Sequence, residues 1–259
     1  MARGGGGGNR LVKTVVCVKQ VRTLGDEVQF TDGGMDVDPD YVDLALNEWD
    51  SYAMEEALRL REAHGGEVLV LTCGGKESEA ALRRCLAMGA DRAARVEGAE
   101  GNDAIRVAHA LAGVVREEGA DLVLCGVQSS DSVQAATGTA LAELLGLPRV
   151  AVVTRLEVRQ GTARVHRELE GGLVDVVDVE MPAVLTIQTG INKPRYANLR
   201  AIKQAEQVEI AVSQAEDAPS ASRVRRMFVP ARGAGAEMLG TDPAEVAERI
   251  AEIVRERTA

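Results

Sequence analysis

Residues 121–148 have the sequence DLVLCGVQSSDSVQAATGTALAELLGLP, and this stretch decides the fold. It begins with a short apolar run, 122–125, between Asp121 and Gly126, which favours a strand buried on both faces. A polar loop of small residues follows, and then a helix that ends near Gly146. Strand, polar loop and helix in this order are typical of phosphate sites, because the first N–H groups of a helix are unpaired and its dipole favours an anion. On local features alone, an ordinary strand-to-helix connection without a ligand is an equally good interpretation.

The composition of the whole chain limits the class of protein. Its 259 residues suffice for one large α/β domain, with or without an additional arm. The hydrophobic fraction of 46% supplies a core, and this core must be aliphatic because aromatic residues make up only 2%. A formal net charge of −10 argues against nucleic acid and anionic membranes as partners.

Targeting and redox signals point to the cytoplasm. No stretch approaches the roughly 20 apolar residues of a membrane span, so no direct membrane insertion is expected. Residues 1–10 lack the apolar segment of a signal peptide, and their glycine run predicts a disordered tail. The four cysteines show neither CxxC spacing nor paired histidines, which disfavours zinc and a redox dithiol. A reducing cytoplasm fits this pattern best.

Alternating apolar runs and helical patterns predict a mostly parallel sheet flanked by helices. Besides 122–125, strands are expected at residues 13–18, 67–72, 92–96 and 183–188, with a polar connection between the first strand and residue 42. Helices are expected at 43–64, at 78–88 and after Asn102, a candidate cap. In the first helix, Glu55 and Glu56 are expected to face solvent. Ligands of such sheets bind at the carboxyl ends of the strands.

Three cysteines are expected near this edge of the sheet. Cys17, Cys73 and Cys125 each lie at or near the end of a predicted strand. Small side chains in this position are consistent with a close-fitting ligand. The alternative, that each cysteine is simply a small buried hydrophobic residue, stays open.

The pattern changes after Pro148. Residues 150–158, 163–169 and 173–179 predict an antiparallel β ribbon. Residues 191–205 predict a loop and a short helix, whereas 208–232 are polar without a clear period and indicate an extended arm.

The C-terminal part is predicted to end in a docking helix. Asp242, Pro243 and Glu245 form an N-terminal helix signal that precedes an amphipathic pattern. The predicted organisation is a disordered tail at 1–10, a Rossmann-like domain at 11–205, and an arm with its helix at 206–259.

Motifs of the common enzyme classes are absent from the sequence. There is no GxxxxGK[ST], GxGxxG, HExxH or GxSxG, and the three histidines are scattered. No nucleophile, base and oxyanion hole can be assembled from the pattern. The residues therefore predict a nucleotide-sized ligand site without catalytic residues.

Several motifs in order resemble the β subunit of electron transfer flavoprotein. They are VVCVKQV (15–21), NEWDSYAMEEALRL (47–60), LTCGG (71–75), CLAMGAD (85–91), DLVLCGVQSSD and ATG within 121–138, HRELEGG (166–172) and INKPRYANLRAIKQA (191–205). The resemblance extends over residues 11–210. It implies a Rossmann-like fold and a heterodimer with an α subunit that holds the redox FAD.

The resemblance also implies a second adenine nucleotide within the β subunit, either AMP or, in electron-bifurcating relatives, FAD. The family's cofactor contacts correspond here to Cys17, Asn47, Glu48, Trp49, Asp50, Cys73, Gly126, Val127, Gln128, Ser129, Asp131, Gln134, Ala135, Ala136 and Thr137. Trp49 matches an aromatic residue that approaches the flavin from the β side.

Partner contacts are implied in two further segments. Ile191 matches the apolar anchor of a loop that docks on partner dehydrogenases, and Glu168 matches an acid that influences release of the partner. The predicted contacts are Glu168, Ile191, Asn192, Pro194, Arg195 and Tyr196. An exposed aliphatic anchor suits a transient redox complex, which depends on a few desolvated contacts.

The expected function is electron transfer without catalysis by the chain's own residues. With the α-subunit FAD, it would carry electrons from acyl-CoA dehydrogenases or similar flavoenzymes to a quinone oxidoreductase. One alternative is a bifurcating, NADH-oxidising flavoprotein with FAD in the β pocket. Another is a stand-alone adenine-nucleotide-binding domain, which would need neither the 191–205 loop nor the docking arm.

Overall fold

The structure is a computed structural model that describes residues 11–25, 27–99, 103–231, 233, 235, 236 and 238–258. The predicted disordered tail at 1–10 and the candidate cap Asn102 lie outside the described residues.

The described residues form eleven strands and six α-helices. The strands are β1 (Val12–Cys17), β2 (Gln20–Leu24), β3 (Val42–Leu46), β4 (Gly66–Cys73), β5 (Arg92–Glu97), β6 (Leu122–Gly126), β7 (Arg149–Arg159), β8 (Thr162–Glu168), β9 (Val174–Glu180), β10 (Ala183–Ile187) and β11 (Ala211–Gln214). The helices are α1 (Glu48–His64), α2 (Glu79–Met88), α3 (Ala104–Glu118), α4 (Thr137–Leu145), α5 (Leu199–Ala205) and α6 (Pro243–Thr258).

Nine strands form one sheet in the order β11-β5-β4-β1-β6-β10-β7-β8-β9. Every pair from β11 to β7 is parallel, whereas β7, β8 and β9 pair antiparallel. The prediction of an α/β fold with a mostly parallel sheet is therefore confirmed. The predicted β ribbon is also present, and it continues the parallel sheet at one end.

Helices cover both faces of the sheet and bury two aliphatic clusters. Met54 and Leu58 of α1 and Leu82 of α2 belong to one cluster, and Leu111 of α3 and Leu141 of α4 belong to the other. The central strands are buried on both faces, which explains why their sequences are continuous apolar runs. Burial of each such side chain contributes about 1.5–3 kcal/mol relative to exposure.

The first helix begins five residues later than the sequence predicts, at Glu48 instead of residue 43. Residues 43–46 belong to β3, which pairs antiparallel with β2, so the region expected to be a polar connection contains a two-stranded sheet. Helix α1 starts only at Glu48. Leu46 contacts the core as the last residue of β3 and not as part of the helix.

The segment expected to be an extended arm, 208–232, contains strand β11. This strand pairs in parallel with β5 and forms one edge of the large sheet. All of its side chains are exposed, so its hydrogen bonds rather than its hydrophobic pattern place it in the sheet. The predicted signal at the last helix is confirmed, since Asp242 Oδ1 accepts hydrogen bonds from the N–H groups of Ala244 and Glu245.

Candidate functional site: a pocket at the carboxyl edge of the sheet

The main pocket lies where the strand order reverses. From β1 the chain adds β4 and β5 on one side, and then β6 on the other side. Cys17, at the end of β1, is the direct neighbour of Cys125 on β6. Divergence of the connections at such a switch point opens a crevice at the carboxyl ends of the strands, where α/β proteins bind ligands. The space between the walls, including the open mouth, is about 760 Å³.

Most of the predicted cofactor residues line this pocket. They are Cys17, Asn47, Asp50, Cys73, Gly126, Val127, Gln128, Ser129, Gln134, Ala135, Ala136 and Thr137. Glu48, Trp49 and Asp131 are not among the lining residues. The Trp49 side chain instead donates a hydrogen bond from Nε1 to Gln188 Oε1 at 3.0 Å.

The Asp50 carboxylate connects the two central strands at the floor of the pocket. It accepts hydrogen bonds from the N–H groups of Lys19 at 2.7 Å and Gly126 at 3.0 Å. Burial raises the pKa of Asp50 from an ordinary value of 3.8 to about 7, although these hydrogen bonds lower it. Asp50 therefore fixes the ends of β1 and β6 relative to α1.

Asn47 holds the loop that follows β6. Its side chain is buried, its Nδ2 donates to the Gln128 carbonyl at 2.8 Å, and its Oδ1 accepts from the Ser130 N–H at 3.3 Å. Because both ends of the amide are used, the loop is fixed to the start of α1. The path of residues 128–130 along the pocket wall is thus set by a residue more than 80 positions away.

The N-terminus of α4 faces the pocket with its first turn uncapped by a side chain. Ala136, at the cap position, offers no side-chain acceptor, and Thr137 and Gly138 of the first turn line the pocket. Just before it, Val133 and Ala135 adopt left-handed conformations with φ of 51° and 50°. Such strain in residues that are not glycine often marks a ligand-binding loop. This geometry suits an anion.

Gly126 and Gly138 are required by close packing. A Cβ on Gly126 would lie 2.5 Å from Trp49 Cβ and closer still to Asp50 Oδ1. A Cβ on Gly138 would lie 2.6 Å from Thr186 Cγ2. Both glycines therefore let the helices approach the sheet at the pocket.

Lys19 supplies a cation at the pocket wall that the sequence prediction missed. Its Nζ lies 2.7 Å from Asp131 Oδ1 and 3.4 Å from Ser129 Oγ. Burial alone would raise the pKa of Asp131, but the hydrogen bond from Lys19 holds it below its ordinary value. Asp131 therefore acts on the pocket indirectly, by orienting Lys19.

Asp103 is a second lining residue that the sequence prediction missed. One oxygen, Oδ1, caps α3 by accepting from the N–H groups of Ile105 and Arg106. The hydrogen bonds from Ser222 and Ser220, together with those from the helix, hold its pKa well below the ordinary range. A signal was present in the sequence, since Asp is a preferred helix cap, but the neighbouring Asn102 fits the same rule.

The thiol of Cys17 at the pocket is held in its protonated form. Hydrogen bonding to Cys125 and burial raise the pKa of Cys17 well above its ordinary value. All four cysteines are free. The described residues contain no group of three or more His, Cys, Asp or Glu side chains arranged to hold a metal.

The loop expected to contact partners is held firmly by α1. Arg195 forms a bidentate pair with Glu55, with Nε 2.8 Å from Oε2 and Nη2 3.0 Å from Oε1. Asn192 Nδ2 donates to Glu56 Oε2 at 2.9 Å. Glu55 and Glu56 are both buried, so the prediction that they face solvent was wrong.

Other predicted partner residues differ in exposure. Ile191 is half-buried and packs on the core, whereas the Tyr196 side chain is 89% exposed. Pro194 is half-buried in the same loop. Glu168, at the end of β8, accepts a hydrogen bond from Gln188 at 3.4 Å.

Together, these features define an α/β protein with a ligand pocket at the switch point of a parallel sheet. The family described as "Electron transfer flavoprotein domain" matches residues 35–218. A protein of Methylophilus methylotrophus named "Electron transfer flavoprotein subunit beta" is 44% identical, over 95% of this chain and 98% of that protein. Proteins of the same name from Syntrophomonas wolfei and Bacillus subtilis are 32% and 30% identical, over 93% and 85% of this chain and 95% and 89% of those proteins.

The chain therefore belongs to the electron transfer flavoprotein β-subunit family. Its role is electron transfer, and it is not an enzyme. Within the described residues, none of the helices has the length and apolar character needed to cross a membrane.

Proposed function

We propose that this chain pairs with an electron transfer flavoprotein α subunit and binds an adenine nucleotide in the pocket between β1 and β6. The nucleotide is AMP, and the redox FAD is shared with the α subunit. The heterodimer carries electrons from acyl-CoA dehydrogenases or similar flavoenzymes to a quinone oxidoreductase. The observation that carries the proposal is the position of the pocket, at the switch point of the sheet and in front of the N-terminus of α4.

The polar groups of the pocket support a nucleotide. The uncapped first turn of α4 and the Lys19 cation suit a phosphate, whereas Cys17, Cys73 and Leu111 offer an apolar surface for a base. The bound nucleotide would stabilise the folded chain by mass action, so no acid–base chemistry is required of the lining residues.

The exposed C-terminal part supports a partner subunit. Helix α6 has no buried residue, although Ile250 and Val254 lie on one side and are about half exposed. An amphipathic helix with an unburied apolar side needs a surface to cover it. The α subunit is the partner that the family's name implies.

The test of electron transfer uses the heterodimer, co-expressed and purified under anaerobic conditions. Addition of an acyl-CoA dehydrogenase with its acyl-CoA substrate should reduce the flavin and bleach its absorbance. A quinone oxidoreductase, added with a quinone that accepts the electrons, should restore the absorbance. Bleaching by NADH alone would favour the bifurcating alternative instead. If the chain forms no complex with an α subunit and binds AMP by itself, the proposal fails and the stand-alone binder replaces it.

A further inference from the structure

The arm runs along the carboxyl edge of the sheet, where the pocket opens. It leaves β11 at Ala215, whose N–H donates to the Glu97 carbonyl at 2.7 Å. Further on, the Met227 N–H donates to the Gly34 carbonyl at 2.8 Å, in the connection between β2 and β3. Because β11 lies beyond β5 and the β2–β3 pair follows the end of β1, residues 215–227 pass the carboxyl ends of β5 and β4.

Between these two points the arm is fixed by Asp103. Its Oδ2 accepts hydrogen bonds from Ser220 Oγ at 2.7 Å, from the Ala221 N–H at 2.5 Å and from the Ser222 N–H at 2.8 Å. The other oxygen of the same carboxylate caps α3, and Asp103 itself lines the pocket. A single side chain thus joins the pocket wall to the arm.

Few other contacts hold this part of the arm. Within 216–226, every residue except a half-buried Ala218 is exposed, so no core packing fixes its position. Hydrogen bonds to an ionised carboxylate are stronger than neutral ones, and here three of them converge on one side chain. Release of the segment requires only the loss of this cluster, without any change in the sheet.

We propose that residues 215–227 form a strap across the mouth of the pocket, and that Asp103 is the positioning residue that holds the strap closed. Ligand exchange then requires release of Ser220–Ser222 from Asp103. This inference concerns access to the pocket and goes beyond the proposed function, since it holds whichever ligand the pocket binds. A strap of this kind changes entry and exit rates together and leaves the equilibrium affinity almost unchanged.

The cysteines of the full-length chain provide the assay. Cys17, Cys73 and Cys125 line the pocket. Cys85 is fully buried in the aliphatic cluster that contains Met54 and Leu82, on the opposite face of the sheet from the cluster of Leu111 and Leu141. Alkylation by iodoacetamide, followed peptide by peptide with mass spectrometry, therefore reports pocket opening and global opening separately. The informative variant is Asp103→Ser, because serine still caps α3 but is too short to reach the strap.

Two further variants complete the experiment. Ser220→Ala removes one of the three bonds to Asp103 and leaves the helix cap intact. Glu97→Gln is the matched control, because the Glu97 side chain contacts Gln214 of β11 and Arg95 but not the strap. The substitution leaves the backbone hydrogen bond from Ala215 to the Glu97 carbonyl in place. In Asp103→Ser, alkylation of the pocket cysteines should accelerate about ten-fold, the factor expected for the loss of charge-assisted hydrogen bonds. Ser220→Ala should show a smaller increase, and Glu97→Gln none.

The result that overturns the proposal is equally specific. If the pocket cysteines of Asp103→Ser and Ser220→Ala react at the wild-type rate, or accelerate only together with Cys85, the strap does not control access. Addition of excess AMP to the same samples tests the ligand independently. Failure of AMP to protect the cysteines would count against the nucleotide, while a faster reaction in Asp103→Ser would still support the strap.

Discussion

The Asp50 carboxylate accepts a hydrogen bond from the Gly126 N–H at 3.0 Å, across the crevice in which the pocket lies. The two residues come from α1 and from the end of β6, so this bond sets the distance between a helix and the strand that starts the ligand loop. The Asp50 side chain is buried, and this burial raises its pKa to about 7.

The Asp50 environment predicts a pH-dependent stability. Because the folded pKa of about 7 exceeds the ordinary value of 3.8, the folded protein binds a proton that the unfolded chain releases between these values. The contribution of Asp50 to stability is thus fully present below pH 4 and is lost as the pH rises through 7. Relative to Asp50→Asn, the free energy of unfolding of the wild type should fall by up to about 1.4 kcal/mol per pH unit in this range.

Urea unfolding of both proteins at several pH values between 5 and 8 measures this difference. Asp50→Asn should be the less stable protein at pH 5, since it leaves one buried N–H without an acceptor, at a cost of about 1–3 kcal/mol. A difference that stays constant with pH would contradict the raised pKa of Asp50.

Gly126→Ala should damage the pocket. The added Cβ would overlap Trp49 and Asp50, so the helix must move away from the strand. We expect a loss of about 1–3 kcal/mol in the free energy of unfolding, together with weaker AMP binding. Fluorescence of Trp49, the single tryptophan, reports both changes.

Gly113→Ala is the matched control for Gly126→Ala. This glycine lies inside α3, and an added Cβ would meet nothing within 4 Å. Alanine should therefore stabilise the helix by up to about 1 kcal/mol. Equal effects of the two substitutions would show that packing at Gly126 is not the cause.

Lys19→Met should weaken phosphate binding specifically. Loss of the cation should reduce AMP affinity about ten-fold at low salt, whereas adenosine affinity should stay unchanged, because Lys19 would contact only the phosphate. Calorimetric titration with both ligands measures the difference. Lys13→Met is the control, since Lys13 lies near the start of β1, away from the pocket, and pairs with Glu118. An equal loss for adenosine would place Lys19 away from the phosphate.

Glu55→Gln should loosen the loop that contains Arg195. Burial alone would raise the pKa of Glu55, but its hydrogen bonds with Arg195 lower it below the ordinary value. The stability that this pair contributes is therefore present above pH 4.5 and is lost as the pH falls below the folded pKa. In Glu55→Gln, trypsin should cleave after Arg195 several-fold faster than in the wild type.

The neighbouring acid provides the comparison for Glu55→Gln. Glu62 contacts the same Arg195 side chain at 2.6 Å, but its own side chain is 53% exposed. A surface pair of this kind contributes about 0–1 kcal/mol, so Glu62→Gln should change the cleavage rate little. If both variants are cleaved at the wild-type rate, the Glu55 pair does not restrain the loop.

The parts of the fold that the sequence predicts well are those that local patterns determine. The strands at 122–125 and 183–188 are buried on both faces, and continuous apolar runs therefore indicate them directly. The helix signal at Asp242 likewise depends only on neighbouring residues. Strands β2, β3 and β11 are instead mostly exposed, and backbone hydrogen bonds to the neighbouring strands place them. Their side chains carry no hydrophobic pattern.

In the candidate site, too, the sequence predicts the features that local patterns determine and not those that depend on distant residues. The loop at 126–137 follows from its place after a strand, and most of its residues line the pocket. The burial of Glu55 depends on Arg195, which is 140 residues away, and no local pattern shows such a partner. Asp103 and Lys19 were missed for a similar reason, since their roles depend on which loops meet at the edge of the sheet.

The nucleotide content of the heterodimer tests the central claim most directly. The chain is co-expressed with its α subunit, purified and denatured, and the released nucleotides are quantified by chromatography. The account predicts one AMP and one FAD per heterodimer. Two FAD per heterodimer would mean that FAD, and not AMP, occupies the pocket, and would favour the bifurcating alternative. A stable heterodimer that releases no second nucleotide would contradict the assignment of the pocket.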